Sequence, residues 1–195
     1  MFTMSILNHF GFLAPIYDRL IKPKAPEYLW EFLQLPTDGL LLDAGGGTGR
    51  MAQFMLDKSE GVVLADLSME MLKEARGKGE LMWVCSHTEG FPFSDGSFSR
   101  ILMVDALHHV CDQTETVFEL WRVLKPGGYL VIEEPDLRTI SVKLVAIAEK
   151  LALMRSHFLA PSDIAALFDF PDAEVHIETE QDGFNAWVVV RKQRN

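Results

Sequence analysis

Cysteine is nearly absent from this chain, with two among 195 residues, Cys85 and Cys111. Neither has a second Cys or a His at metal-ligand spacing, so a zinc cluster is excluded, and two isolated thiols make no disulfide framework. Both stand in or beside apolar, strand-like segments and are expected to be reduced core thiols, as in a cytoplasmic protein. Basic charge is also short: Lys and Arg total 18 against 28 Asp and Glu, a net charge of −10. That balance excludes general nucleic-acid binding, which needs clustered cations. The one basic run, Arg191-Lys192-Gln193-Arg194, is read as a solvated end. No apolar run reaches the ~18 residues of a membrane span and no leader pattern is seen, so neither a span nor secretion is expected. The Gly-Lys-Ser/Thr of a phosphate-cradling loop is missing too.

What is present is ordinary globular composition, 48% hydrophobic and 24% charged, in a length that suits one domain over residues 1–195. Apolar strands are expected at Leu40–Ala44, Val62–Asp66, Leu81–Ser86, Arg100–Ala106 and Tyr129–Glu133. Helical spacing falls at Ala25–Leu35, Arg50–Lys58, Met69–Arg76 and Thr114–Leu124. Such strands between amphipathic helices predict a parallel sheet covered on both faces. A long helix is expected over Thr139–Phe158, and Ser162 is expected to cap a short one through Phe168. Asp182-Gly183 between Glu174–Thr179 and Phe184–Arg191 signals an antiparallel hairpin. An N-terminal helical segment (about 1–36) and a helical insertion (about 137–170) complete the organisation, with no internal repeat.

The densest information lies in Leu42-Asp43-Ala44-Gly45-Gly46-Gly47-Thr48-Gly49-Arg50. A strand that runs into a glycine turn and a helix is the opening of a nucleotide-binding α/β domain. Glycines permit positive φ and close backbone approach, and a helix N-terminus would offer unpaired N–H groups. The spacing is G-x-G-x-G and not the dinucleotide G-x-G-x-x-G. Asp43 at the strand tip would repel a pyrophosphate and suits an amine or another cation. About twenty residues on, Asp66 ends the next strand, where a carboxylate can accept from both ribose hydroxyls. Ser68 is placed to cap the helix that follows.

In sequence order come Leu42–Gly49, Ala65-Asp66-Leu67-Ser68-Met69-Glu70-Met71-Leu72, Thr88-Glu89-Gly90-Phe91-Pro92-Phe93-Ser94-Asp95-Gly96-Ser97-Phe98, Ala106-Leu107-His108-His109-Val110 and Trp121-Arg122-Val123-Leu124-Lys125-Pro126-Gly127-Gly128. Together these segments resemble the class I S-adenosylmethionine-dependent methyltransferases, and within them the small-molecule group that includes ubiquinone/menaquinone methyltransferases. The resemblance implies a Rossmann-like, doubly wound, seven-stranded sheet, mostly parallel with a C-terminal antiparallel hairpin. It also implies S-adenosyl-L-methionine as cofactor and S-adenosyl-L-homocysteine as product, with no metal.

By that resemblance Asp43, Ala44, Gly45, Gly46 and Gly47 hold the amino-acid end of the cofactor, Asp66 the ribose, and Leu67 packs on the adenine. The family's usual acid after the third strand is replaced by His87, leaving the Thr88 backbone to read the ring. Asp105 would meet the methionine amine or the acceptor. Tyr17, in a segment similar to the family's N-terminal helix, would close over the sulfonium. His108 and His109 are the candidates to orient or deprotonate the acceptor. The expected partner is a small aromatic, quinone or lipid-like molecule. Two other classes stay open: a catalytically silent protein that binds the same cofactor, and a nicotinamide-dependent oxidoreductase, against which the glycine spacing counts.

Overall fold

The computed structural model describes residues 27–136, 138, 156–179 and 184–194. Its strands are β1 Leu40–Ala44, β2 Gly61–Asp66, β3 Met82–Cys85, β4 Phe98–Val104, β5 Leu124–Pro135, β6 Ala173–Thr179 and β7 Asn185–Lys192. The helices are α1 Glu27–Phe32, α2 Met69–Ala75, α3 Gln113–Val123 and α4 Pro161–Ala166. All seven strands form one sheet in the order β3-β2-β1-β4-β5-β7-β6. β1 to β5 pair in parallel, and β7 runs antiparallel to both β5 and β6. This is the Rossmann-like doubly wound sheet with an antiparallel C-terminal pair.

Side chains alternate across the strands, so each strand feeds two cores. Leu42, Val63, Ile101 and Leu130 pack under Val117 and Leu120 of α3 and Ile164 of α4. Leu41, Val62, Leu102 and Val131 pack under Leu29 of α1 and Leu72 of α2. The strand order reverses between β1 and β4, and ligands of open α/β sheets bind at such a point beyond the C-terminal strand ends. Asp43 and Asp105 stand on its two sides.

Several boundaries depart from the sequence reading. Residues 50–58 form turns and a short 3₁₀ turn, Ala52–Phe54, where a helix was expected. Its i→i+3 bonds, Phe54 N–H to Met51 O at 3.0 Å and Met55 N–H to Ala52 O at 3.0 Å, draw Ala52 and Met55 fully under the sheet. β4 stops at Val104 because Asp105 takes a left-handed φ of +51°. β5 runs longer than expected, since β7 pairs with it from Tyr129 to Pro135. Cys85 and Cys111 are exposed, not core thiols. β3 is an edge strand with an open face, and Cys111 follows a second 3₁₀ turn, Leu107–His109, outside any strand. α4 begins with Pro161 and has Ala160 at its N-cap, so Ser162 is not the cap. Ser156 to Phe158 are not helical, and the rest of the expected 139–158 helix lies outside the described residues, as do the 180–183 turn and Tyr17. Among the described residues, no helix is long and apolar enough to cross a membrane.

Candidate functional site

A cavity of about 480 Å³ opens over the C-terminal ends of β1, β2 and β4. Its floor is Asp43. The side chain is fully buried, and neither carboxylate oxygen has a hydrogen-bond partner. Burial pushes this carboxyl up to about 7, against the opposing pull of Arg50 and of the Ala52 N–H, which faces it without reaching hydrogen-bond geometry. A buried carboxylate without a donor is costly unless something supplies one.

The glycine loop curls over that acid. Gly45, Gly47 and Gly49 have φ of +68°, +56° and +72°. A Cβ on Gly45 would meet the Ala106 Cβ at 2.7 Å, so the loop can approach the β4 end only as glycine. Four glycine amides of the loop are already engaged. Gly45 and Gly46 N–H groups donate to Ala65 O, at 2.7 and 3.3 Å, Gly47 N–H to Asp66 Oδ2 at 2.9 Å, and Gly49 N–H to Gly46 O at 2.9 Å. The donor-rich helix N-terminus expected from the sequence is therefore absent, and the wall is dominated by acceptors. This chemistry suits a cationic group and opposes a pyrophosphate.

Asp66 faces the cavity with each oxygen engaged once: Oδ2 by Gly47 N–H and Oδ1 by Ser68 N–H at 2.7 Å. Burial raises its carboxyl, and those two N–H groups oppose the rise. Each oxygen keeps a further lone pair for a hydroxyl donor. Ser68 caps α2 as expected, its Oγ accepting from Met71 N–H at 3.3 Å. Leu67, 57% exposed, offers an apolar ledge on the same wall. His87 is exposed at the rim. Thr88 lines the cavity, with its hydroxyl 3.0 Å from Thr116 Oγ1. Ser86 lines the same end with a buried hydroxyl that has no partner.

On the opposite wall Asp105 is ion-paired with Arg50 at 2.6 Å. His109 lines the cavity, while His108 and Ala44 lie behind its wall. His108 is buried, with Nδ1 hydrogen-bonded to Glu134 Oε2, so the contact with an acceptor expected of both histidines is left to His109. Burial, with the His108 ring adding to it, pushes the His109 imidazole down to about 3. Glu89, a residue the sequence did not single out, accepts from Cys111 N–H at 2.8 Å and Asp112 N–H at 3.2 Å. Burial would raise its carboxyl, but these bonds and its own N–H hold it below the usual range. Arg50 and Glu89 line the cavity and were missed as site residues. Glu133 and Glu134 do not line it, and their one local sign was a pair of acids at the end of an apolar strand. Among the described residues, no group of three or more His, Cys, Asp or Glu could hold a metal ion.

Residues 42–132 match the family described as methyltransferase domain. A ubiquinone/menaquinone biosynthesis C-methyltransferase from Cronobacter sakazakii is 35% identical over 54% of this chain and 48% of its own. One from Paracoccus denitrificans is 37% identical over 51% and 44%. The chain thus spans about half the length of the curated relatives it matches. In fold it is similar to a chain from the complex between the Haloferax volcanii Trm112 methyltransferase activator and a methyltransferase. That chain has a TM-score of 0.83 and 15% identity, and the match covers 97% of this chain and all of that one. The motif order and the match over residues 42–132 make this stretch similar to methyltransferase domains, the ubiquinone/menaquinone C-methyltransferase group among them, and the seven-stranded sheet shares the Rossmann-like fold of the solved structures it resembles.

Proposed function

We propose that this protein transfers a methyl group from S-adenosylmethionine to a small-molecule acceptor. The observation that carries the reading is Asp43: a fully buried, donor-less carboxylate under a glycine loop, at the strand-order reversal of the sheet. The site passes a test of fit to a cationic nucleoside. Asp43 lacks a donor that an ammonium would supply, the Gly45 and Gly47 backbones admit close approach, Asp66 has lone pairs for ribose hydroxyls, and Leu67 is a ledge for a flat ring.

When bound, the cofactor supplies a methyl already activated by its sulfonium. The chain's own work is to bind, orient and exclude water. Asp43 and the loop would fix the amino-acid end, Asp66 the ribose, and Leu67 with the Thr88 backbone the base. Arg50 balances the Asp105 charge and favours the ionised form of Asp43. His109, uncharged at neutral pH, would orient an acceptor by hydrogen bonding and is too weak a base to take a proton outright. The named activity of the relatives favours an aromatic, quinol-like acceptor. The same reading takes residues 1–195 as one domain acting in the cytoplasm.

The depressed His109 basicity favours a second reading, a silent binder of the same cofactor. A thermal-shift comparison with S-adenosylhomocysteine and NAD comes first. S-adenosylhomocysteine at a hundred times its dissociation constant should stabilise the fold by ~2.7 kcal/mol, and a response to NAD alone overturns the assignment. Label transfer from S-adenosylmethionine to a panel of quinols, phenols, amines and thiols then separates enzyme from binder.

A further inference from the structure

Glu134 is a buried carboxylate to which methyl transfer assigns no part. It ends β5 on the face opposite Glu133, which engages Tyr28 and Asn185. Glu134 turns instead to the 3₁₀ turn after β4. Its Oε1 accepts from Ala106 N–H at 3.0 Å and Leu107 N–H at 2.7 Å, and its Oε2 meets His108 Nδ1. One carboxylate therefore holds three consecutive residues.

The clamp passes its order on to the cavity. The His108 ring stacks on Phe158 (4.2 Å between centroids, planes 13° apart) and lies against the His109 ring at 3.9 Å. His108 O accepts from His157 N–H at 2.7 Å, and Gln113 Nε2 bridges Leu107 O and His157 O. Ser156 Oγ stands 3.4 Å from His109 Nδ1. His109, which lines the cavity together with Ala106 of the clamped turn, is thus fixed from behind by His108 and from the side by residues 156–158.

We propose that Glu134 is a positioning residue for the acceptor side of the site: it clamps the 106–108 turn and the His108 ring so that the His109 imidazole is presented to the cavity in one orientation. This rests on the methyl-transfer reading for what the cavity receives. The charge chemistry is consistent with the geometry. A carboxylate on Nδ1 fixes the His108 tautomer with that nitrogen protonated. Burial chiefly depresses the His109 basicity, and the adjoining His108 ring adds to it. The other titratable groups around His109 are Asp105 at the end of β4, Cys111, and Glu89 and His87 across the cavity. His157 joins through its backbone.

The test reads ring nitrogens by long-range proton–nitrogen NMR on the full chain, unmodified and as Glu134→Gln, with S-adenosylhomocysteine affinity measured alongside. The unmodified protein should show His108 Nδ1 protonated and no His109 titration between about pH 5 and 8. A bare His108 Nδ1 overturns the proposal without any variant. Glutamine keeps an acceptor for the two backbone N–H groups but turns an amide N–H toward His108. His108 should therefore switch to the Nε2-protonated tautomer, and the His109 ring resonances should shift as its orientation is released, while S-adenosylhomocysteine affinity stays within about twofold. Unchanged His108 and His109 signals in a folded Glu134→Gln that binds S-adenosylhomocysteine sink the positioning role. Failure of the unmodified protein to bind S-adenosylhomocysteine sinks the methyltransferase reading instead.

Discussion

The carboxylate of Asp43 and the α-carbon of Gly46 are packed so closely that a methyl on residue 46 would stand 2.6 Å from Asp43 Oδ2 and 2.4 Å from Leu64 Cδ1. The middle glycine of the loop is therefore required by the acid beneath it, and its φ is not in the left-handed range. Gly46→Ala must displace either the fully buried Leu64 or Asp43 itself. Overpacking of this kind costs about 1–3 kcal/mol. Denaturant unfolding should show that loss, and calorimetry should show S-adenosylhomocysteine affinity falling by tenfold or more. Retention of both would mean that the floor of the site is looser than the packing implies.

Asp43 also sets a pH dependence. Its carboxyl is raised from 3.8 to about 7, chiefly by burial, so between those values the folded, unliganded chain holds a proton that the unfolded chain has released. Stability from this group is greatest at the acid end and is lost as pH rises to about 7, by an amount on the order of 4 kcal/mol. Glu133, raised to about 7 chiefly by burial, adds a slope of the same sign. A cationic ligand prefers the ionised acid, so S-adenosylhomocysteine affinity should climb up to tenfold per pH unit below about 7 and then level off. Asp43→Asn should flatten the stability slope, exceed the parent in stability at alkaline pH, and bind S-adenosylhomocysteine poorly throughout. Melting series at matched pH compare the two proteins. An equally steep slope in the variant would assign the titration to another group.

Asp66 carries more of the local fold than its strand-end position suggests. Its two oxygens tie the Gly47 N–H of the loop to the Ser68 N–H at the start of α2. Asp66→Ala should therefore lower stability by about 1–3 kcal/mol, for the two donors left unmade, as well as S-adenosylhomocysteine affinity. Asp66→Asn retains one acceptor oxygen and should fall between. Chemical denaturation with and without ligand separates the two losses. An alanine variant as stable as the parent would show that the loop and helix hold their geometry without the carboxylate.

How much of this was legible beforehand follows from how local each signal is. Asp43, the glycines, Asp66 and Ser68 lie in short stretches where strand, turn and cap chemistry are written consecutively, and Asp43, Gly45, Gly46, Gly47, Asp66 and Ser68 all line the cavity. Glu134 and His108 are 26 residues apart, and Arg50 and Asp105 are 55 apart. Such pairs meet only because β1, β4 and β5 lie side by side, which periodicity alone does not specify. The helix expected after Gly49 failed for a related reason. Its apolar residues have helical spacing, but the core draws Ala52 and Met55 inward through a tighter 3₁₀ turn. Cys85 failed because being an edge strand is a property of the whole sheet, which puts β3 at its end.

The Arg50–Asp105 pair supplies the last prediction. Asp105 sits at φ +51°, a backbone state that aspartate tolerates better than most residues, and its side chain is one-third exposed while that of Arg50 is nearly covered. The contribution of the pair to stability is therefore modest, but Arg50 also faces Asp43, whose raised carboxyl it pulls back down. Arg50→Met removes that opposing charge, so Asp43 should hold its proton to higher pH. S-adenosylhomocysteine affinity should then be weakened by up to about tenfold near pH 6.5 and recover toward the parental value near pH 8.5, a shift of roughly one unit in the midpoint. Asp105→Asn has the opposite expectation. With its carboxylate partner gone, the Arg50 charge acts more fully on Asp43, the affinity midpoint moves to lower pH, and the plateau affinity drops because the guanidinium competes for the acid. Calorimetric titrations of both variants across pH read the two midpoints directly. Midpoints moving in the same direction would show that Arg50 does not govern the ionisation of Asp43.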